Sequence, residues 1–177
     1  MAYISVKEGV PGIRSLFQFS PETGGPLCEL AEILLRGASP LSSAERELIA
    51  AYVSHRNGCA FCRNSHAAAA RCLFGDDKKV VDELLREQNG ISLSKKMNAL
   101  LDLAGKVQLG GQSVQAGDIE SARNAGAEDS DIHDTVLIAA SFSMFNRYVD
   151  GLGAFTPGEE SAYLDMGKRM SEKGYHL

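Results

Sequence analysis

Four residues with acid–base or redox chemistry lie in one short stretch of the chain: Glu47, Cys59, Cys62 and His66. Two thiols three residues apart at the start of a helix can close a disulfide with little backbone movement. The thiolate is the reactive form of cysteine, and the positive end of a helix lowers a thiol pKa. A nearby imidazole can take up or return the thiol proton. The combination predicts thiol–disulfide chemistry assisted by a proton relay.

Helical spacing places the two thiols and the imidazole on one side of the predicted helix. Each residue of an α-helix turns by about 100°, so Cys62 lies about 60° from Cys59 and His66 about 20° from Cys59 in projection. Glu47 belongs to the preceding predicted helix, a short turn away. If the two helices pack antiparallel, its carboxylate can reach the pocket and orient His66, or accept a proton through water.

These groups match the needs of hydroperoxide reduction. A thiolate attacks the O–O bond and becomes a sulfenic acid, and a neighbouring thiol condenses with it to a disulfide. An acid must protonate the departing alkoxide or hydroxide. The dithiol, His66 and Glu47 supply all three functions, so the hypothesis requires a hydroperoxide substrate and no metal, haem or flavin cofactor.

Two other interpretations of the cysteine pair remain open. A structural zinc ion could use the same four residues, but such sites take a second ligand pair, and the chain has no second C-x-x-C and no H-x3-H. Alternatively, both thiols could be core residues without a role. Cys28 and Cys72 lie on apolar helical stretches and are predicted to be buried and inert. Cys72 is about 140° around the helix from Cys59 and should point away from the dithiol.

Composition indicates one soluble domain. The chain has 177 residues, of which 44% are hydrophobic and 23% charged, and its net charge is −5 without a basic run. This disfavours a nucleic-acid partner. The N-terminus does not resemble a signal peptide, and the longest apolar stretch, residues 135–145, is too short to span a bilayer. We therefore expect a cytoplasmic protein with no membrane partner, in which a close cysteine pair is redox-active or metal-binding.

No segment shows the alternation of a half-buried strand, whereas helical patterns occur throughout, so the sequence predicts one all-α domain of residues 1–177 with a core of about 26–158. Ser42 and Glu45 fit a capping box, and Asn57-Gly58 should end the helix that follows it. The other helices are expected to start at Gly12, Pro26, Cys59, Asp76 or Asp77, Ser92 or Ser94, Asp118, Ser130, and after Pro157-Gly158.

A faint internal similarity relates residues 49–57 to residues 138–146, where five of nine positions match without a gap. At that offset Cys59 corresponds to Tyr148 and Cys62 to Gly151. Two buried, alanine-rich helices could look alike by chance. The alternative is a duplicated helical hairpin in which only the first copy kept its thiols.

The motif resembles the E-x11-C-x2-C-x3-H signature of the alkylhydroperoxidase D and carboxymuconolactone decarboxylase superfamily. Residues 48–59 and 145–153 are similar to its peroxidase-related branch, and the likeness is strongest over residues 41–70. The resemblance implies an all-helical fold, a homo-oligomer (trimer or hexamer) and thiol-dependent hydroperoxide reduction. It also implies re-reduction by a dithiol, such as a dihydrolipoyl protein.

Carried over by position, the resemblance makes Cys62 the peroxidatic thiol, Cys59 the resolving thiol, and Glu47 with His66 the proton relay. The helix dipole alone favours Cys59, which is nearer the N-terminus, so both orders stay open. Phe61 stands where well-studied members often carry a histidine. This substitution weakens the relay and makes the pocket more apolar.

Two rival functions follow from the same motif. A decarboxylase acting on a γ-lactone, as in the carboxymuconolactone branch, needs an acid–base site but no dithiol, and the intact C-x-x-C argues against it. A non-catalytic redox sensor would form the disulfide without multiple turnovers.

Overall fold

The computed structural model describes residues 2–86 and 92–175. Every regular element in these ranges is helical, which confirms the all-α prediction. Single 3-10 turns occur at Gly75–Asp77 and Gly111–Ser113. None of the described helices is long and apolar enough to cross a membrane. The α-helices are α1 (Ile13–Phe19), α2 (Pro21–Arg36), α3 (Ser43–Arg56), α4 (Ala60–Phe74), α5 (Lys79–Leu85), α6 (Lys95–Leu109), α7 (Ala116–Asn124), α8 (Asp129–Gly151) and α9 (Glu160–Lys173).

Helix α3 is the central helix of the fold. Five apolar side chains in its middle are fully buried: Leu48, Ile49, Ala50, Ala51 and Val53. A helix that is apolar on all sides must be covered on all sides, and α2, α4, α6 and α8 pack around it. The predicted capping box at its start is present. The helix that carries Glu47 is therefore held rigidly.

A sharp turn joins α3 to α4. Gly58 adopts φ +74°, a left-handed conformation that costs glycine little and other residues more. Helix α3 ends at Arg56, as predicted from Asn57-Gly58, and Cys59 is the N-cap of α4. The two helices pack closely against each other. This hairpin carries all four residues of the predicted site.

Helix α9 packs tightly on the outer side of α4, after Pro157-Gly158 as predicted. A Cβ atom placed on Gly167 would lie 2.6 Å from the Ala68 Cβ and carbonyl carbon. Only glycine permits this approach of the two helices. The close packing directs Tyr175, which follows α9, back over the hairpin.

Some helix starts differ from those predicted. Helix α2 begins at Pro21 and contains Pro26 in its interior. Either proline can occupy the first turn of a helix, and the earlier one does so here. Asp76 and Asp77 lie in a 3-10 turn and cap nothing, because α5 starts later, at Lys79.

Helix α8 also starts earlier than predicted. Its first turn is capped from Glu128 instead of Ser130, and the Glu128 N–H donates to Asp131 Oδ2 at 2.9 Å. Several residues of this stretch can cap a helix, and a carboxylate in the first turn also favours the helix dipole.

The two similar segments, on α3 and α8, contact each other at their matching positions. Asn57 Nδ2 donates to Asn146 Oδ1 at 2.8 Å and approaches Ser143 Oγ at 3.4 Å. Asn146 Nδ2 in turn donates to Ser54 Oγ at 3.0 Å. Ser54 and Ser143 are equivalent positions, as are Asn57 and Asn146, so each asparagine reaches the serine of the other copy. Reciprocal contacts are typical of two-fold related elements and favour the duplication interpretation.

Candidate active site

The two thiols of the motif lie side by side at the N-terminus of α4. Both are free cysteines, with exposed fractions of 0% for Cys59 and 3% for Cys62. A hydrogen bond links the two side chains. They form part of a small apolar cluster, separate from the main core, to which α1, α8 and α9 contribute Leu16, Val149 and Tyr163.

The surroundings of Cys62 favour its protonated form. The hydrogen bond to Cys59, burial and the charge on Cys59 together raise the pKa of Cys62 well above its usual value. A hydrogen bond from Asn146 acts in the opposite direction, and Asp150 raises the pKa further. For Cys62, the expectation of a thiol pKa lowered by the helix N-terminus is therefore wrong. The hydrogen bond with Cys59, followed by burial among the neighbouring helices, outweighs the helix dipole.

The structure brings Glu47 and His66 together. Glu47 is fully buried, and its Oε2 lies 2.7 Å from Nδ1 of His66. A carboxylate only accepts, so Nδ1–H of the imidazole donates this bond. The other ring nitrogen, Nε2, is then the one that can take up a proton. His66 is 8% exposed and shares its side of α4 with Cys62.

Two residues outside the motif hold the Glu47 carboxylate. Arg36 Nη2 and the Tyr175 hydroxyl each donate to Glu47 Oε1 at 2.5 Å. The Tyr175 ring also stacks on His66, with ring centroids 5.9 Å apart and planes 11° apart. The Arg36 guanidinium lies 5.2 Å from the Tyr175 ring centroid. Neither residue belongs to the motif, and their spacing from it carries no signal.

The charges in this cluster oppose the effect of burial. Burial alone would raise the pKa of Glu47, but the charge and hydrogen bond of His66, the charge of Arg36 and the hydrogen bond of Tyr175 hold it below its usual value. Burial and the charge of Glu47 raise the pKa of Tyr175 well above its usual value. At neutral pH, Glu47 is therefore ionised and Tyr175 is a neutral donor.

A chain of amides supports the dithiol from the other side. Asn146, 1% exposed, contacts Cys62 and Ser54 and accepts from Asn57. Asn57 Oδ1 accepts from Gln108 Nε2 at 2.9 Å, which continues the chain to α6. The sequence alone does not connect Asn146 with the dithiol, because the contact depends on how α8 packs against α3.

Two neighbouring cavities border the site. A chamber of about 50 Å³ is lined by Cys62, His66, Phe61 and Tyr175. A larger cavity of about 340 Å³ shares His66, Phe61 and Tyr175 with the chamber and extends to residues of α1, α2 and α9. Cys59 does not line either one. Phe61 gives the shared wall an apolar face, as expected from its place in the motif.

The other two cysteines differ from each other. Cys28 is buried, as predicted, and lines the larger cavity. Cys72 points away from the dithiol but is exposed, so the prediction that it is buried is wrong. An apolar sequence context implies burial only where neighbours cover every face, and the last turn of α4 is only partly covered. In residues 2–86 and 92–175, no three His, Cys, Asp or Glu side chains are grouped to hold a metal ion.

The motif lies inside the part of the chain that matches a known family. Residues 21–106 match the model of the carboxymuconolactone decarboxylase family. This range contains Glu47, Cys59, Cys62 and His66 and ends before α7. No curated protein matches the sequence.

Solved structures resemble most of the chain. An uncharacterized peroxidase-related protein from Silicibacter sp. TM1040 has 29% identity and a TM-score of 0.77, over 88% of this chain and 79% of that one. A second peroxidase-related protein, described as an alkylhydroperoxidase AhpD core, from Ralstonia eutropha JMP134, has 25% identity and a TM-score of 0.78, over 90% and 82%. A protein of unknown function from Agrobacterium tumefaciens shares the fold, with 20% identity and a TM-score of 0.71, over 90% and 100%. Residues 21–106 therefore resemble the carboxymuconolactone decarboxylase family, and the structural likenesses show an alkylhydroperoxidase-D-like fold.

Proposed function

We propose that this protein reduces organic hydroperoxides through a dithiol–disulfide cycle of Cys59 and Cys62, with His66 as proton carrier and Glu47 as its anchor. The observation that carries the proposal is the shared chamber: Cys62 and His66 line one cavity of about 50 Å³, and a buried, ionised Glu47 fixes the imidazole beside it. The peroxidase-related structural neighbours support the same reaction class.

The reaction balances with the groups present. His66 accepts a thiol proton at Nε2, and the thiolate attacks one peroxide oxygen, which forms a sulfenic acid and expels an alkoxide. The imidazolium returns the proton to the alkoxide, which leaves as an alcohol. The second thiol then attacks the sulfenic sulfur, which forms the disulfide and releases water. One hydroperoxide and two thiols give one alcohol, one water and one disulfide.

Cys62 is the better candidate for the attacking thiol. It lines the chamber and Cys59 does not, so only Cys62 is open to a peroxide that enters there. Its raised pKa means that few Cys62 thiols are ionised at neutral pH, and a base is needed at the moment of attack. His66 supplies that base, and Glu47 stabilises the imidazolium that forms. The order agrees with the one that the family resemblance implies.

Tyr175 acts as a positioning residue for the relay. Its hydroxyl bonds Glu47 and lies 3.2 Å from Nδ1 of His66. The Tyr175 hydroxyl is thus a neutral hydrogen-bond donor in the relay. This chain has Phe61 where well-studied members often carry a second histidine.

The proposal includes the remaining participants of the cycle. The disulfide is re-reduced by a dithiol, with a dihydrolipoyl protein as the expected class. Because the cycle starts from free thiols, it requires a reducing compartment such as the cytoplasm. The protein is expected to act as a trimer or hexamer.

Thiol counting with mass mapping tests the proposal directly. Cys72 is exposed and would react with any label, so the experiment uses a Cys72→Ser background. One equivalent of tert-butyl hydroperoxide should remove two thiols, mapped to a Cys59–Cys62 disulfide that a dithiol reverses. The Cys59→Ser variant should accumulate a sulfenic acid on Cys62.

Cys28 lines the larger cavity and is mapped in the same experiment. Because burial raises the pKa of its thiol, we expect Cys28 to remain unmodified. A sulfenic acid on Cys59 in the Cys62→Ser variant would reverse the assigned order. If neither thiol reacts, the protein is not a hydroperoxide reductase. Disulfide formation without repeated turnover would instead indicate a redox sensor.

A further inference from the structure

The cavity of about 340 Å³ beside the chamber has both apolar and positively charged side chains in its wall. Much of its wall consists of apolar side chains: Ile13, Phe17, Pro21, Phe61, Met166 and Met170. Two guanidinium groups also line it, Arg14 from α1 and Arg169 from α9. His66 lines this cavity and also lines the dithiol chamber.

The two guanidinium groups are close enough to repel each other. Burial and the charge of Arg14 lower the pKa of Arg169. Within the described part of the chain, neither arginine forms an ion pair, and no Asp or Glu side chain lines this cavity. Arg14 is exposed and Arg169 is half-buried, so the two guanidinium groups form a positive patch in the cavity wall that an anionic group can neutralise. The geometry therefore fits a ligand with an anionic end.

We propose that this cavity binds an amphipathic carboxylic acid, with its carboxylate at Arg14 and Arg169 and its apolar chain along Phe17 and Met170 toward His66. This inference rests on the proposed function. The substrate is then a hydroperoxide of a medium-chain carboxylic acid, and its peroxide group lies at the Cys62 chamber. A guanidinium binds a carboxylate through two parallel hydrogen bonds, which gives such a ligand a fixed direction.

The size of the cavity limits the length of the ligand. A volume of about 340 Å³ is near the lower end for small-molecule sites. It suits a medium-length chain better than a long fatty acid. Decanoate is therefore a suitable non-reactive probe, and 1-decanol is its uncharged counterpart.

Binding can be measured without any turnover. Isothermal titration of decanoate into the Cys59→Ser/Cys62→Ser variant should show saturable one-to-one binding that weakens with added salt, and 1-decanol should bind about tenfold more weakly. Adding Arg169→Gln or Arg14→Gln should weaken decanoate binding about tenfold while leaving 1-decanol unchanged. Lys168→Gln removes the same charge from an exposed neighbouring position of α9 and should change nothing.

Arg169→Lys is the control for a folding defect, because it keeps the charge but loses the planar pair of donors. Its affinity for decanoate should lie between those of wild type and Arg169→Gln. Equal binding of decanoate and 1-decanol, or no effect of either glutamine variant, would overturn the proposal. The test is separable from the peroxidase assay. Carboxylate binding without hydroperoxide reduction would refute only the reaction, and reduction of tert-butyl hydroperoxide without decanoate binding would refute only the ligand.

Discussion

The two matching segments of the chain, on α3 and α8, follow different paths after the same asparagine. After Asn57 the chain turns at Gly58 and starts a new helix, whereas after Asn146 the helix continues to Gly151. The position that matches Gly58 is Arg147, in the middle of α8. The difference creates a helix N-terminus in the first copy alone, and that is where the dithiol lies.

The residues of the proton relay also occur in only one of the two segments. At the same offset, Glu47 corresponds to Val136 and His66 to Phe155. The second copy carries no relay, but through Asn146 it holds both the turn and Cys62. The two similar segments thus differ in role, since the first is positioned for reaction and the second for support.

Replacing Glu47 should have the largest effect on both stability and peroxide reduction, because only the first segment carries the relay. Glu47→Gln removes the charge that pairs with Arg36 and His66 inside the protein. Loss of one partner from a buried ion pair should lower the free energy of unfolding by about 3 kcal/mol and the rate of peroxide reduction by about 100-fold. Denaturant unfolding and peroxidase assays measure the two effects. The matching change in the second copy, Val136→Ala, should cost only about 1 kcal/mol and leave the rate intact.

The same variant should alter the response to acid. The pKa of Glu47 is lower in the folded protein than the value of about 4.3 in an unfolded chain. Its charge therefore stabilises the fold above that pH, and the stabilisation is lost as the pH falls through the folded-state pKa. The stability gap between wild type and Glu47→Gln should narrow from pH 7 to pH 3. A gap that stays constant would show that the Glu47 charge does not stabilise the fold.

Much of the hairpin could be predicted because its geometry is local. The capping box fixes the start of α3, Gly58 fixes the turn, and the spacing of the two cysteines and His66 fixes their shared side of α4. Such features depend on neighbours within a few residues, so the sequence carries them directly.

The contacts that support the relay depend on packing between distant segments. Tyr175 reaches Glu47 across more than a hundred residues, because Gly167 lets α9 lie close to α4. Likewise, the pKa of Cys62 is raised first by its hydrogen bond with Cys59 and then by burial, to which other helices contribute. No local pattern carries this information.

Asn146→Ala tests the supporting role of the second copy. The change removes one hydrogen-bond partner from buried Ser54 and one from half-buried Asn57, and it should lower the free energy of unfolding by about 2 kcal/mol. It also removes the hydrogen bond that lowers the pKa of Cys62. Alkylation of Cys62 at pH 8 should therefore become slower, as followed by mass spectrometry. Asn57→Ala, which does not touch Cys62, should cost about 1 kcal/mol. Faster alkylation in Asn146→Ala would contradict the assigned contact.

Tyr175→Phe should have a smaller effect on stability, because Arg36 still pairs with Glu47. Loss of one buried hydrogen bond costs about 1 kcal/mol, and peroxide reduction should fall about tenfold. Since the Tyr175 hydroxyl lowers the pKa of Glu47, that pKa should rise in the variant. The acid-induced loss of stability should then begin at a higher pH. Tyr148→Phe, at the position that matches Cys59, is the control and should leave both the rate and the acid response unchanged. If the two variants behave alike, Tyr175 does not position the relay.

Gly58→Ala should have the smallest effect. A Cβ at Gly58 meets no atom within 4 Å, so the only cost is the left-handed backbone conformation. We expect a loss of about 1 kcal/mol for alanine and less for Gly58→Asn, since asparagine tolerates this conformation. The matching change in α8, Arg147→Ala, lies at an exposed position inside a helix and should stay within about 0.5 kcal/mol of wild type. Thermal unfolding of the three variants measures the order. An alanine variant as stable as wild type would show that packing alone, and not the glycine, turns one copy into a hairpin while the other remains a single helix.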